Sequence, residues 1–222
     1  MRTALNTFFC ILSLSALSAC GGGSGASQST GPRDMDPVEI REYEGTKLSS
    51  RNEFRENSIR GPQNVDIGSW RLTVDGLVEH PLSLTYDQVK ARPAFRKVTD
   101  LHCVEGWSVK ILWEGFKLRD LLTEAGTKIQ ATHVVFHAAD GYYTYLTWNY
   151  VTVHDLLVAW NMNGAPLLPE RGYPLMLVAE DRLGYKWCRW LTRIELTDSS
   201  CARGYWENQG YPKSGDPAEW FR

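Results

Sequence analysis

The sequence predicts an α+β domain, rich in β-sheet and carrying short helices. Apolar and β-branched runs with strand-like alternation are punctuated by Asp75-Gly76 and Asp140-Gly141, dipeptides that suit tight turns. Between them lie short stretches with apolar residues at helical spacing. Hydrophobic residues make up 43% of the 222 and include nine Trp, so the chain can bury one sizeable core and is not a disordered polymer.

The N-terminus reads as a targeting segment. Met1-Arg2 supplies a short positive end, and the apolar run Phe8 to Leu17 is too short to span a bilayer as a mature helix. Leu17-Ser18-Ala19-Cys20 resembles a bacterial lipobox, which makes residues 1–19 a lipoprotein signal peptide and Cys20 the lipidated first residue; an ordinary secretory signal is the alternative. Residues 20–36 include the Gly/Ser/Thr-rich stretch Gly21 to Gly31, a flexible tether that cannot bury a core. A lipid and a tether anchor the domain at 37–222 to a membrane face without spanning it.

Within the domain, Pro37 to Ser50 is expected to be an extended arm packed on the body. Trp70 to Val74 alternates as a strand into Asp75-Gly76, and Thr85 can cap a short helix. Phe95 to Leu101 is strand-like. Leu118, Leu121, Leu122 and Ala125 form a helical core stripe with Gly126 as its stop. His133 to Ala138 reads as a buried strand turned by Asp140-Gly141 into Tyr142 to Trp148. Val153 to Trp160 reads as a second helix ended by Asn163-Gly164. Arg171 to Val178 is a Gly turn followed by a strand, and Ile194 to Leu196 closes the sheet.

Net charge is −2, from 24 basic and 26 acidic residues, and no basic block occurs, which argues against a nucleic-acid partner. Chemistry concentrates in Asp100 to Ser108, where Cys103 lies between a strand and a Gly-Trp turn. Gly106 permits a positive φ, Trp107 can wall a pocket, and a thiolate suits a soft transition metal. The plain alternative is a buried Cys packed as a small hydrophobe. Glu105 can orient water or move a proton, or simply cap the turn; His102 is a weaker candidate, and His137 reads as structural. Arg51-Asn52-Glu53 puts a planar multi-donor cation beside an amide and a carboxylate, suited to a polar heterocycle or phosphate, or else forms a solvated turn. Gly184 lets backbone N–H groups approach an anion and Lys186 adds a charge. Cys188 and Cys201 either pair or stay separate thiols.

Cys103-Val104-Glu105-Gly106-Trp107-Ser108 resembles the molybdenum-ligand segment of the sulfite oxidase family of molybdopterin enzymes, which includes sulfoxide reductases. Arg51 to Phe54 resembles that family's early pterin-contacting stretch. Gly172 to Val178 resembles its Gly-x-Pro-x-Arg-Leu-Val segment, with Met176 where the family has a phosphate-binding Arg; Arg171 and Arg182 are the candidates to replace it. Leu183 to Trp187 with Trp190-Leu191 resembles its Gly-aromatic-Lys loop, and Gly204 to Tyr211 its terminal pieces, expected over the pocket.

The resemblance implies a mixed β-sheet molybdopterin-binding fold and a molybdenum-molybdopterin cofactor. It implies Cys103 as metal ligand and catalytic residue with Glu105 beside it. Cofactor contacts would come from Arg51, Asn52, Glu53, Cys103, Ala138, Arg171, Gly184, Tyr185 and Lys186. The implied activity is two-electron oxygen-atom transfer on a sulfoxide-like substrate, with sulfite oxidation as the alternative. No Cys-x-x-Cys-His haem motif is present, so a separate redox partner, a cytochrome or a membrane quinone-linked protein, is expected, with the chain a monomer in the bacterial cell envelope. A reading of another class is a cofactor-free binding or assembly lipoprotein that keeps the fold.

Overall fold

The structure, a computed structural model, describes residues 38–199 and 202–221; the signal, lipobox and tether assignments and Cys201 lie outside them. A small hairpin, β1 (Glu42–Tyr43) and β2 (Thr46–Lys47), opens the arm. The arm is stitched to the body by Ile40 N–H on Asn163 O at 2.9 Å and Ser49 N–H on Lys110 O at 2.9 Å. This matches the extended packed arm expected from its polar sequence.

Next come β3 (Leu72–Gly76), β4 (Leu82–Leu84) and α1 (Tyr86–Lys90). Thr85 and Gln88 form a reciprocal capping box at the start of α1, the device that lets so short a helix begin cleanly. The long hairpin β5 (Phe95–His102) and β6 (Ser108–Lys117) follows, then α2 (Leu118–Ala125). All four stripe residues of α2 are buried, and Gly126 ends it at φ 69°. β7 (His133–Ala138) and β8 (Tyr143–Thr147) make the Asp140-Gly141 hairpin.

The second helix differs from the sequence reading. The helix, α3, covers Trp148–Val153, and residues expected to continue it instead form β9 (Leu157–Met162). A continuously apolar run buried on both faces has no alternation to mark it as a strand. Asn163-Gly164, expected to stop a helix, is a hairpin turn into β10 (Ala165–Pro166), with φ of 48° and 79°. β11 (Met176–Val178), β12 (Leu191–Thr197) and α4 (Pro217–Trp220) complete the chain, with single 3-10 turns at Pro169–Arg171, Gly184–Lys186 and Glu207–Gln209.

The strands form two five-stranded sheets. One runs β10-β9-β6-β5 with β11 also on β9, all antiparallel. The other runs β4-β3-β12-β7-β8 and is mixed, because β12 lies parallel to β3 and antiparallel to β7. One continuous core joins them, with Trp113, Phe116, Phe136 and Ile194 all essentially inaccessible. The α+β, mixed-sheet expectation is met.

Candidate active site

Cys103 occupies the tip of the longest hairpin. Registration of β5 on β6 ends at His102 opposite Ser108, leaving a five-residue loop. The loop is closed by Cys103 N–H on Trp107 O at 2.9 Å and Gly106 N–H on Cys103 O at 3.1 Å, with Gly106 at φ 81°. Only Gly adopts that backbone without strain, so the turn anticipated from Gly106-Trp107 is what aims the thiol. A bridge from His102 to Leu183 brings Gly184 alongside: a Cβ there would sit 3.5 Å from His102 O and 3.9 Å from Cys103 Cα.

Cys103 is 4% exposed and faces a cleft of about 1020 Å³, counting its open mouth. Burial pushes its thiol pKa up, and the Glu105 carboxylate adds to this; hydrogen bonds from the Glu105 and Val104 backbone and the Arg55 charge act the other way. Its side-chain partner is Asn57, with Nδ2 donating to Sγ at 3.6 Å. Glu105 stands exposed at the mouth and accepts from Trp107 Nε1 at 2.8 Å. Phe54 stacks edge-on against Trp107 at 6.2 Å, and the Arg171 guanidinium lies 5.1 Å from the Phe54 ring. Trp206 and Tyr211 of the C-terminal segment also line the cleft, where the sequence placed that segment.

Of the expected cofactor contacts, Cys103, Glu105, Arg171, Gly184 and Tyr185 line this cleft. Arg51, Asn52, Glu53, Ala138 and Lys186 do not. Arg51 is buried and offers its carbonyl to Arg171 Nε at 3.2 Å, while Asn52 and Glu53 are exposed, Glu53 meeting Arg41 at 3.3 Å. Ala138 is buried at the end of β7, one turn from the lining residues Asp140 and Tyr142. Lys186 is 1% exposed and its ammonium pairs with Glu207. His137 is structural, bonded to Glu195 at 3.0 Å.

Two arginines and an asparagine of the cleft were not singled out from sequence. Arg55 and Arg189 line it together with Arg171, and Asn57 reaches the thiol. Arg55 and Asn57 sit in an irregular stretch where no periodicity indicates facing. Arg189 follows buried Cys188, so alternation into β12 was the one available hint. Met176 is buried in the cleft wall. Of the two candidates to replace an arginine there, Arg171 is in the cleft, whereas Arg182 packs 4.2 Å over Tyr150.

The donor set suits an anionic, sulfur-ligated cofactor. Arg171 donates to Arg51 O and to Phe54 O, each at 3.2 Å, yet its Nη1 is buried without a hydrogen-bond partner among the described residues, its nearest acid being Glu56 at 3.9 Å. A buried guanidinium donor left open calls for an acceptor. Gly184 lies against the Cys103 turn at the cleft, and Cys103 presents a soft donor. Among the described residues no three His, Cys, Asp or Glu side chains gather as a metal cage, leaving Cys103 as the candidate protein ligand.

The family model described as "oxidoreductase molybdopterin binding domain" matches residues 59–206. An uncharacterised oxidoreductase of Bacillus subtilis (strain 168), YuiH, is 38% identical over 157 residues, covering 70% of this chain and 79% of that one. The putative protein-methionine-sulfoxide reductase subunit YedZ1 of Azospira oryzae is 34% identical over 67% of this chain and 56% of its own length. The protein-methionine-sulfoxide reductase catalytic subunit MsrP of Campylobacter jejuni is 28% identical, and the chain spans 54% of it. The sulfane dehydrogenase SoxCD of Paracoccus pantotrophus shares the fold at TM-score 0.60 and 24% identity, over 63% of this chain and 41% of that one. The chain therefore belongs to the molybdopterin-binding oxidoreductase family, and it is an enzyme of the sulfite oxidase type.

Proposed function

We propose that this chain is the catalytic domain of a lipid-anchored, extracytoplasmic reductase of sulfoxide-like substrates, with Cys103 as the protein ligand to a molybdenum-molybdopterin. The observation that carries the reading is the Cys103 thiol at the tip of a fixed hairpin, facing a cleft lined by three arginines. The likeness to MsrP and YedZ1 supports the sulfoxide substrate class and a separate redox partner, a cytochrome or a membrane quinone-linked protein.

When bound, the cofactor supplies two-electron oxygen-atom transfer: a sulfoxide, two electrons and two protons become a sulfide and water. Arg171, with its open Nη1, would hold an anionic part of the cofactor beside the Gly184 turn. Glu105, exposed at the mouth, would pass protons between solvent and the cleft. Phe54, Trp107, Trp206 and Tyr211 offer apolar surface that excludes water and receives the thioether product.

Residues 1–19 act in this reading as signal peptide, 20–36 as tether and 37–222 as the catalytic domain, held at the envelope by lipidated Cys20. Among the described residues no helix is long and apolar enough to cross a membrane. A sulfite-oxidising reading is favoured by one feature: Arg55 lines the cleft with no hydrogen bond or ion pair among the described residues, a cation open to an anionic substrate.

Molybdenum and pterin are to be measured in protein from a molybdenum-sufficient host, wild type beside Cys103→Ser. About one molybdenum per chain, with a spectrum altered in the variant, and dye-linked reduction of sulfoxides exceeding sulfite oxidation, is the expected result. A folded wild type lacking metal would leave the binding-lipoprotein reading, and faster sulfite turnover would move the substrate to the anion.

A further inference from the structure

The Asn57 carboxamide is the side chain bonded to Cys103, with Nδ2 3.6 Å from Sγ. The two ends of a carboxamide have nearly the same shape, and only their hydrogen-bond partners tell them apart. Here the partner decides. Arg189 Nη2 lies 3.2 Å from Asn57 Oδ1. A guanidinium has donors and no acceptor, so the end facing it must be the carbonyl, and the end facing sulfur must be the NH2.

Arg189 is itself held. Its Nη1 donates to Glu170 O and to Glu56 Oε2, each at 3.1 Å, and its guanidinium lies 4.7 Å from the Trp190 ring. Glu56 in turn accepts from Ser58 N–H at 2.8 Å. The stretch carrying Asn57 has no regular secondary structure, so these bonds are what hold the amide at the thiol.

We propose that Asn57 is a positioning and tuning residue for the Cys103 thiolate, and that Arg189 sets the direction in which its amide points. The inference rests on the reading of Cys103 as the metal ligand. An N–H donated to a ligating thiolate draws electron density from sulfur, weakens its donation to the metal and raises the reduction potential of the centre. Asn57 thereby favours the reduced centre and makes it a milder reductant. Arg189 acts through the amide rather than on the metal.

The test uses the full chain as purified, with molybdenum assayed in the same preparation. The first readout is solvent exchange of the Asn57 carboxamide protons by NMR. Exchange about tenfold faster than wild type is expected in both Arg189→Met and Cys103→Ala, the scale of one hydrogen bond to a charged group. Arg189→Lys, which retains a donor, should restore slow exchange and shows whether loss in Arg189→Met is specific. Unchanged exchange in folded Arg189→Met overturns the orienting role.

The second readout is the thiolate-to-metal charge-transfer band and the midpoint potential. Asn57→Ala and the isosteric Asn57→Asp should move the band to longer wavelength and lower the potential. Adding Arg189→Met to Asn57→Ala should move neither further. An extra shift in the double variant would assign Arg189 a direct charge effect, and an unmoved band in metal-loaded Asn57→Ala overturns the tuning. Wild type without molybdenum removes the ligand reading and the tuning with it, whereas metal present with an unmoved band removes the tuning alone.

Discussion

The Lys186 ammonium and the Glu207 carboxylate meet inside the protein, with side-chain exposures of 1% and 0%, and tie the C-terminal segment to the loop beside the cleft. Lys186 Nζ also donates to Tyr145 O at 3.2 Å and lies 4.0 Å from the Tyr145 ring. Burial pushes the Lys186 pKa down, and Glu207 opposes that shift. Removing one partner leaves the other charge buried alone. Lys186→Met should therefore cost about 3–5 kcal/mol by urea denaturation, while Lys186→Met with Glu207→Met should recover most of it. Equal losses in the single and double variants would show that the pair does not act as a unit.

Gly115 stands where β6 slips register against β9, between Glu114 and Gly115. A Cβ there would lie 2.0 Å from Val158 O and 2.6 Å from Ala159 Cα, both backbone atoms that cannot give way. Gly115→Ala should lower stability by about 3 kcal/mol. The hairpin that carries Cys103 includes the same strand, so thermal unfolding followed by Trp fluorescence should report the loss.

Acid should loosen the cleft wall. Burial raises the Glu56 carboxyl pKa, but hydrogen bonds from Ser58 and the charges of Arg189 and Arg171 outweigh it, so the folded value lies below 4.5. A depressed folded value stabilises the fold fully above pH 4.5 and loses that contribution as pH falls through it. Denaturation midpoints compared between pH 7 and pH 3.5 should show a smaller drop in Glu56→Gln than in wild type. An identical drop would mean other carboxyls carry the acid sensitivity.

Arg171 should be irreplaceable by lysine. Its planar head spans the Arg51 and Phe54 carbonyls while leaving Nη1 open, a division of donors that a single ammonium cannot reproduce. In Arg171→Lys, retained pterin, read by fluorescence after acid release, should fall about tenfold with far-UV circular dichroism unchanged. Full retention would remove Arg171 from the cofactor contacts.

Legibility in the sequence followed locality. The α2 stripe, the Thr85 cap, the Gly106 turn and the Cys103 segment are set by residues within a few positions of one another, and each was readable. The strand β9 was hidden because burial on both faces erases alternation. Asn57 and Arg189 were hidden for another reason: their partnership joins positions 132 residues apart, and neither has a local pattern that reveals it. Lys186, expected at the cofactor, turns instead to Glu207, a partner from another segment that no local pattern around Lys186 reveals.

The parallel pairing of β3 with β12 has a bearing on biosynthesis. Asp75 and Arg193, bonded side by side at 2.9 Å, are 118 positions apart, and the cleft also draws on Trp206 and Tyr211. A growing chain lacks this compartment until Tyr211 has been made. Insertion of any prosthetic group therefore waits for these late residues, as a step that acts on a domain already folded around its cleft.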